Sequence, residues 1–498
     1  MPFSPLPLGQ RIPAKLHGVS CSLPTMRAVI GYEEKDPAIV QHLSSGYPRF
    51  VQHPILKRAG AYLLKHRGLE DHYLWLTSSL RSAEALRQWL APEVATVVSH
   101  QGLHGVAVPL EGNGVSRAKT WLQHTGALAS SRAAEDFLVR VGEQPAAEPE
   151  ETYSGDSRKR ILTYLSEAYA PATEDDLFLA NSGMNAIWAA YRAVSALQAP
   201  RGRRVWVQLG WLYLDTIAIL QKFSGGAENY VLHSNVFDLE GLKRLFAARG
   251  HEIAGVITEV PTNPLLQTPD LAAVYELCRA AGALLVVDPT VVSPLNINVL
   301  PHADLVVNSL TKYTASEGDV LFGAVVLRPG CDDAVYLRAQ LARELEPIYS
   351  RDLMRLAAQI SDTAAVVQKT NETAARVVTF LESHPRIASL YWSLRAESAE
   401  NYERLARGRD RIGSMVSFTV KGPLSAFYDR LRLPKGPSFG MKTSLLCPFI
   451  YLAHYDLVTS VEGQKILAAN DLSPELLRLS VGCEPAEDII AALAEALD

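Results

Sequence analysis

Two side chains that could act together in catalysis follow two predicted strands. Asp288 ends the apolar run Leu-Leu-Val-Val-Asp, and Lys312 comes shortly after the run Leu-Val-Val-Asn. A lysine amine leaving a buried strand can form a Schiff base with a phosphorylated aldehyde, and the hydroxyls of Ser309 and Thr311 are close enough in sequence to hold the phosphate. An aspartate on a neighbouring strand can pair with a protonated pyridine nitrogen. Asp288 and Lys312 together therefore predict a pyridoxal phosphate (PLP) site, although a solvated lysine and a helix-capping aspartate would also fit this local sequence.

A second signal for this cofactor is the segment Ser182-Gly-Met, which precedes a predicted helix at 185–197. A helix N-terminus favours an anion because its first backbone N–H groups have no partner within the helix. Because Gly183 has no side chain, a phosphate can approach the backbone closely there. We therefore expect the amides of Gly183 and Met184 to donate to the phosphate. A serine in this position is also an ordinary helix cap.

The elements that must position these residues form an alternating pattern from about residue 177 onward. Short β-branched runs alternate with amphipathic helical segments, which is typical of an α/β fold with a mainly parallel sheet. After residue 330 the pattern changes to long helical stretches at 332–345 and 353–384, followed by strands at 414–420 and 477–481. This change predicts a second, smaller α+β domain.

The N-terminal region is less regular but contains alternating strand and helix signals, which predict a small α/β module. The Pro- and Glu-rich stretch 144–151 predicts a linker or a long exposed loop. We therefore divide the chain into an N-terminal extension at 1–152, a cofactor-binding large domain at 153–330 and a C-terminal small domain at 331–498.

Composition excludes several classes of function. The 498 residues are 48% hydrophobic and 20% charged, with a net charge of -5 and no basic tract, so nothing favours nucleic acid as a partner. Five scattered cysteines indicate neither a disulfide framework nor a metal site. Without a run of about 20 apolar residues or a leader pattern, we expect a soluble cytoplasmic protein with no membrane partner.

Several short motifs occur together in the order seen in one enzyme family. They are Ser182-Gly-Met, Pro261-Thr-Asn-Pro, Val287-Asp, Ser309-Leu-Thr-Lys-Tyr and Arg478-Leu-Ser-Val-Gly. This set resembles the Cys/Met metabolism family of PLP-dependent enzymes. The resemblance covers nearly the whole chain and is closer to the fungal-type cystathionine gamma-synthases, which share stretches similar to Gly46-Tyr-Pro-Arg-Phe, Lys435-Gly-Pro-Ser and Leu452-Ala-His-Tyr. It implies the type I PLP-dependent transferase fold, which is also called aspartate aminotransferase-like.

The resemblance also implies roles for individual residues. Lys312 matches the catalytic Schiff-base lysine, and Asp288 matches the partner of the ring nitrogen. Ser309 and Thr311 match the phosphate hydroxyls, and Tyr213 resembles the tyrosine that stacks on the cofactor ring close to the incoming amine.

Four further positions complete the implied site. Asn263 resembles an asparagine near the ring hydroxyl, and Arg478 resembles the arginine that clamps the substrate carboxylate. Tyr47 and Arg49 resemble an element that reaches the phosphate of a neighbouring subunit. The implied assembly is a homo-oligomer of active-site pairs, with tetramers usual in the family.

The activity implied is replacement at the γ carbon of an O-acetyl- or O-succinyl-L-homoserine by L-cysteine. The product would be L-cystathionine, an intermediate of transsulfuration and methionine biosynthesis. O-acylhomoserine sulfhydrylase and cystathionine or methionine γ-lyase remain open, because they share all the cofactor residues. A catalytically silent PLP-binding scaffold or regulator is the alternative of a different class.

Overall fold

Residues 3–40 form a small structured segment in the computed structural model, which describes residues 3–47 and 50–498. Its elements are β1 (Arg11–Ile12), β2 (Ser20–Cys21), α1 (Met26–Glu33) and α2 (Pro37–Val40). Helix α1 begins at Thr25, whose side chain accepts from the amide of Ala28. The buried side chains between residues 21 and 39 join one apolar core with those between 374 and 497. This segment therefore packs on the C-terminal domain.

Residues 54–140 fold into a separate layer of helices on a three-stranded antiparallel sheet, which we call the N-terminal module. Its elements are α3 (Pro54–Arg67), β3 (His72–Thr77), α4 (Leu80–Leu90), β4 (Thr96–His100), β5 (Leu103–Pro109), α5 (Gly114–Thr125) and α6 (Ser131–Arg140). The strand order is β3-β5-β4. The helices cover the two faces of this sheet with two apolar clusters. A small α/β module is what the sequence predicted here.

The central domain is built on a seven-stranded sheet with helices on both faces. Its elements are α7 (Ser157–Ala168), β6 (Leu177–Ala180), α8 (Gly183–Gln198), β7 (Val205–Leu209), α9 (Leu214–Phe223), β8 (Tyr230–His233), α10 (Leu239–Arg249), β9 (Ile253–Glu259), α11 (Leu271–Ala281), β10 (Leu284–Asp288), β11 (Leu305–Asn308) and β12 (Gly323–Leu327). The strand order is β6-β12-β11-β10-β9-β7-β8, and only β12 runs against the others. The predicted mainly parallel α/β fold is confirmed.

The parallel strands place the predicted chemistry at one edge of this sheet. Strands β9 and β10 end in Glu259 and Asp288, which are register partners. The turns that contain Ser182, Tyr213 and Lys312 follow β6, β7 and β11. Because carboxyl ends of parallel strands meet at the same edge, residues far apart in sequence converge there.

The C-terminal domain packs helices on a four-stranded antiparallel sheet of order β13-β14-β16-β15. Its elements are α12 (Ala334–Glu344), α13 (Ser350–Gln359), α14 (Thr363–Ser383), β13 (Ile387–Tyr391), α15 (Ala399–Leu405), β14 (Met415–Val420), α16 (Leu424–Arg430), β15 (Leu445–Pro448), α17 (Phe449–Ala453), α18 (Tyr455–Thr459), α19 (Val461–Ala469), β16 (Leu477–Ser480) and α20 (Ala486–Leu497). The helical stretch predicted at 353–384 is divided in the structure, because a short 3-10 turn at Ile360–Asp362 separates α13 from α14.

The Pro- and Glu-rich stretch 144–151 has no regular secondary structure, but it is not a free linker. Glu150 accepts from Arg132 of the N-terminal module and from Arg351 of α13. These ion pairs tie the stretch to both neighbours. Among the described residues, no helix combines the length and the apolar character needed to cross a membrane.

Candidate active site

A cavity of about 1010 Å³, including its solvent-filled mouth, opens at the carboxyl edge of the central sheet. Its floor, at the edge of the sheet, carries the polar residues that end or follow the parallel strands, and its apolar lining includes Phe50, Leu214, Phe439, Phe449 and Leu452. The C-terminal domain and the segment before the N-terminal module both contribute to that lining. Apolar and polar side chains are in contact, since Phe439 lies by Lys312 and Phe449 lies by Arg478.

The Lys312 side chain lies inside this cavity and is 6% exposed. Its Nζ donates to Ser438 Oγ at 2.7 Å and to Tyr47 Oη at 3.3 Å. The ammonium group also lies over the rings of Tyr47 and Phe439, at 4.6 and 5.0 Å from their centroids. The amine is thus held by hydroxyl groups and two aromatic faces.

Ser438 is a functional residue that the sequence reasoning missed. Its backbone φ is +92°, in the left-handed region that non-glycine residues seldom occupy. This conformation turns the hydroxyl toward Lys312 while the Ser438 carbonyl accepts from Arg478 Nη2 at 3.3 Å. The stretch Lys435-Gly-Pro-Ser was noted only as a family match, and its distance in sequence from Lys312 hid the contact.

The turn at Ser182-Gly-Met and the turn at Ser309 enclose a space, which we call the cradle and in which we expect an anion to bind. Ser182 caps the 16-residue helix α8, and its Oγ accepts from Asn185 N at 3.2 Å. A Cβ on Gly183 would lie 2.6 Å from Ser309 Cβ, so a side chain there would fill the space between the two turns. As the first residues of α8, Gly183 and Met184 have amides without a partner inside the helix, and these would be available to a phosphate in this space.

The predicted phosphate hydroxyls differ in their contacts. Ser309 lines the cavity, and its backbone amide donates to Thr290 Oγ1 at 2.9 Å. Thr311 also lines the cavity, but its hydroxyl donates to Phe322 O at 3.3 Å and accepts from Phe322 N at 2.9 Å. Thr311 therefore ties the turn to the start of β12, and its role toward a phosphate stays a prediction.

Two acids are buried side by side on the cavity floor. Asp288 is 9% exposed, and its Oδ1 accepts from Thr290 N at 2.9 Å. Burial raises the pKa of Asp288 to about 6. Burial, with the nearby Asp288 charge, raises the pKa of Glu259 well above its usual range. The raised pKa values mean that burial disfavours the charged form of both carboxyls, and a cation beside them would lower those pKa values.

Tyr213 stands at the cavity rim, where the loop after β7 enters α9. Its backbone amide donates to Glu259 Oε1 at 2.5 Å. Trp211, two residues earlier, is buried and donates from Nε1 to His454 Nε2 at 3.0 Å, as buried indoles usually find a partner. Glu259 was also missed from the sequence, although its position at the end of a predicted parallel strand was an available signal.

Arg478 lies on β16, lines the same cavity as Lys312 and is 6% exposed. Its Nη1 donates to Asn263 Oδ1 at 3.1 Å, and its guanidinium lies 4.6 Å from the Phe449 ring centroid. Asn263 thus lines the cavity and orients the arginine. A buried, pre-oriented guanidinium is suited to binding a carboxylate with two hydrogen bonds.

Tyr47 lies in the cavity of its own chain, where its hydroxyl accepts from Lys312 Nζ, and its expected role at the phosphate of a neighbouring subunit stays a prediction. The preceding residues explain its position. Ser44 Oγ donates to Gly9 O at 2.7 Å and Ser45 Oγ donates to Gly18 O at 2.6 Å, so the segment is anchored next to its own site. Arg49 lies outside the described residues. The homo-oligomer stays a prediction.

These side chains fit PLP. The cradle between Gly183 and Ser309 would hold a phosphate, the buried Asp288 would receive the ring nitrogen, and the Lys312 amine can reach an aldehyde between them. Glu259 Oε2 is buried and has no hydrogen-bond partner among the described residues. Buried polar atoms usually have a hydrogen-bond partner, so this oxygen indicates a place on the cavity floor for a polar group of a bound molecule. The described residues include no cluster of three or more His, Cys, Asp or Glu that could hold a metal ion.

A sheet of this topology with a buried lysine and aspartate at its carboxyl edge defines a type I PLP-dependent enzyme. The sequence model for "Cys/Met metabolism PLP-dependent enzyme" matches residues 171–498. The chain belongs to this family and uses PLP as its cofactor.

Two curated relatives cover almost the whole chain. L-2-amino-4-chloropent-4-enoate dechlorinase/desaturase from Streptantibioticus cattleyicolor is 38% identical over 98% of this chain and 97% of its own length. Cystathionine gamma-synthase from Neurospora crassa is 26% identical over 99% of this chain and 98% of its own length. The sequence-based resemblance to fungal cystathionine gamma-synthases is confirmed.

A solved structure agrees with this placement. Cystathionine gamma-synthase from Xanthomonas oryzae pv. oryzae in complex with cystathionine is 27% identical, with a TM-score of 0.57. The match covers 69% of this chain and 86% of that one. The predicted type I PLP-dependent transferase fold is confirmed.

Proposed function

We propose that the protein removes or replaces a leaving group on the γ carbon of an L-α-amino acid. The observation that carries this proposal is the double contact of Ser438 with the Lys312 amine and the Arg478 guanidinium. Ser438 thereby fixes the distance between the Lys312 amine, which would transfer protons, and the Arg478 guanidinium, which would bind the substrate carboxylate. That spacing suits an amino acid whose carboxylate is held while protons are moved along its side chain.

Each residue has a defined task in this proposal. Arg478, oriented by Asn263, binds the substrate carboxylate. The freed Lys312 amine takes the proton from the α carbon and can then serve the β carbon, so that the leaving group departs from the γ carbon with its bonding electrons. When bound, PLP supplies an electron-accepting ring, which the Asp288 carboxylate would keep protonated.

The first candidate reaction is γ-replacement on an O-acyl-L-homoserine by L-cysteine, giving L-cystathionine. It is supported by the full-length similarity to cystathionine gamma-synthase from Neurospora crassa. The O-acylhomoserine sulfhydrylase and γ-lyase alternatives use the same Lys312, Asp288 and Arg478.

The second candidate is elimination from an amino acid with a compact, uncharged γ substituent, such as a chloride. It is supported by the 38% identity to the dechlorinase/desaturase and by the small number of cationic side chains in the cavity lining. Among the described residues that line the cavity, Lys312 and Arg478 are the only lysine and arginine side chains. A second substrate carboxylate, from a succinyl group or from cysteine, would therefore need a further cation that the described part of this lining does not offer.

One panel of assays separates these candidates. The purified holoenzyme is given O-acetyl- or O-succinyl-L-homoserine with cysteine, with sulfide and with no thiol, and separately L-2-amino-4-chloropent-4-enoate. Cystathionine formed only with cysteine supports the first candidate, whereas chloride release without a thiol supports the second. A protein that turns over none of these substrates would contradict the proposal.

A further inference from the structure

The last residues of α5, in the N-terminal module, contact the turn at 182–185 that begins α8. Helix α5 ends at Thr125, and Gly126 follows as its C-cap with φ of +69°. The carbonyl of Thr125 accepts from Asn185 Nδ2 at 3.2 Å, and the carbonyl of Gly126 lies 3.5 Å from Ser182 Oγ, whose nearer acceptor is Asn181 Oδ1 at 3.2 Å. Asn185 and Ser182 both belong to the turn that begins α8, beside the cradle.

Gly126 is packed so closely against this turn that no side chain can be accommodated. A Cβ at position 126 would lie 2.5 Å from Asn185 N and 2.6 Å from Ser182 Oγ. These distances are far below van der Waals contact, and both neighbouring atoms belong to the capping turn. The backbone at 126 therefore determines where the first amides of α8 can lie.

The same helix end also contacts the element that carries Tyr213. Gln123 Nε2 donates to Asp215 Oδ1 at 2.7 Å, and His124 Nε2 lies 3.7 Å from the same oxygen. Asp215 is fully buried in the first turn of α9, two residues after Tyr213. One short segment of the module thus touches both the proposed phosphate turn and the helix below the proposed ring-stacking tyrosine.

We propose that residues 123–126 position the cofactor-binding turn and Tyr213, so that the N-terminal module sets the affinity for the cofactor phosphate. This inference rests on the proposed function, because it takes the turn at 182–184 as the phosphate site. Residues 123–126 are positioning residues, since none of them lines the cavity. The module is therefore part of the cofactor site although it lies behind it.

The test compares Gly126→Ala with Gly68→Ala in the full chain freed of its cofactor. Gly68 is the C-cap of α3 in the same module, with φ of +65°, and a Cβ there meets nothing within 4 Å. In both variants alanine must adopt a positive φ. Only in Gly126→Ala does the added Cβ clash with Ser182 and Asn185. Affinities for PLP and for pyridoxal, which lacks the phosphate, are measured by absorbance titration.

We expect Gly126→Ala to weaken PLP at least 10-fold while pyridoxal changes less than 2-fold, and Gly68→Ala to leave both within 2-fold. Equal PLP affinities of the two variants, or equal losses of PLP and pyridoxal by Gly126→Ala, would overturn the proposal. A wild-type chain that binds neither compound would overturn the proposed function as well, so the two failures are distinguishable.

If Gly126→Ala does not fold, the variant Gln123→Leu tests the proposal instead. Its control is Gln88→Leu, because Gln88 is an exposed residue of α4. Because Tyr213 is expected to face the ring, Gln123→Leu should weaken PLP and pyridoxal alike, by at least 3-fold. Unchanged affinities relative to Gln88→Leu would overturn the proposal.

Discussion

Glu259 and Asp288 are register partners on neighbouring parallel strands, and both carboxyl groups are buried at the floor of one cavity. Burial raises the pKa of each, and the pKa of Glu259 is raised well above its usual range. Of the two, Asp288 is the acid available as an anion near neutral pH. A single negative charge at the cavity floor matches a single protonated ring nitrogen.

Asp288→Asn should therefore be far more damaging than Glu259→Gln. We expect Asp288→Asn to lower turnover on the order of 10²–10³-fold, as is usual when one pre-organised electrostatic partner is removed. The amide introduced by Glu259→Gln would resemble the neutral acid and could still accept from Tyr213 N, so this variant should retain turnover within about 10-fold. Steady-state rates of both holoenzymes test this, and similar losses would contradict the assignment.

The hydroxyl of Ser438 and its backbone conformation can be separated by two substitutions. Ser438→Ala and Ser438→Gly both remove the hydrogen bond to Lys312, so each should lose roughly 10- to 100-fold in kcat, from about 1.5–3 kcal/mol for a hydrogen bond to a charged group. The glycine variant should be about 1 kcal/mol more stable than the alanine variant, because only glycine adopts φ of +92° without strain. Chemical denaturation and steady-state kinetics measure the two effects. Equal stabilities would indicate that the backbone there is unstrained.

Arg478 should be irreplaceable by lysine. Arg478→Lys keeps the charge but loses the two-pronged guanidinium that donates to Asn263 and to the Ser438 carbonyl. We expect KM for the amino-acid substrate to rise roughly 10- to 100-fold, the equivalent of about 1.5–3 kcal/mol. The exposed Arg404 changed to Lys is the control, and its KM should match that of the wild type. An unchanged KM in Arg478→Lys would remove Arg478 as the carboxylate clamp.

The bond from Trp211 to His454 should make stability depend on pH. Burial lowers the pKa of His454 to about 4, against the opposing effect of Asp456 and Asp215. In the unfolded chain the pKa of His is about 6.5, so protons bind the unfolded state first as the pH falls. The contribution of His454 to stability is therefore complete above about pH 6.5 and is lost progressively down to about pH 4, by roughly 3 kcal/mol.

His454→Gln can accept from the Trp211 indole but does not titrate. The difference in unfolding free energy between wild type and this variant should shrink by roughly 3 kcal/mol between about pH 7 and about pH 4. Urea denaturation at several pH values measures it. A pH-independent difference would mean that His454 binds protons equally in the folded and unfolded states.

Positions at strand ends made part of the candidate site predictable from the sequence, although Glu259 at the end of β9 was missed. Lys312 and Asp288 could be placed because apolar runs of four or five residues identify buried parallel strands, whose carboxyl ends must meet. Ser438 lies in an irregular loop of the C-terminal domain, and no local sequence pattern shows which cavity such a loop will face. Arg478 lies on β16 and was named only through the family resemblance. The separation of α13 from α14 at Ile360 was also invisible, because the apolar periodicity runs through the 3-10 turn.

The packing of residues 21–39 into the core shared with residues 374–497 has a consequence for biosynthesis. During translation, α1 is synthesised well before the residues at 374–497 that cover its apolar face. At about 5–20 residues per second, this interval lasts roughly 25–90 s. The C-terminal domain can therefore complete its apolar core only after that interval, and the apolar face of α1 lacks these partners until then.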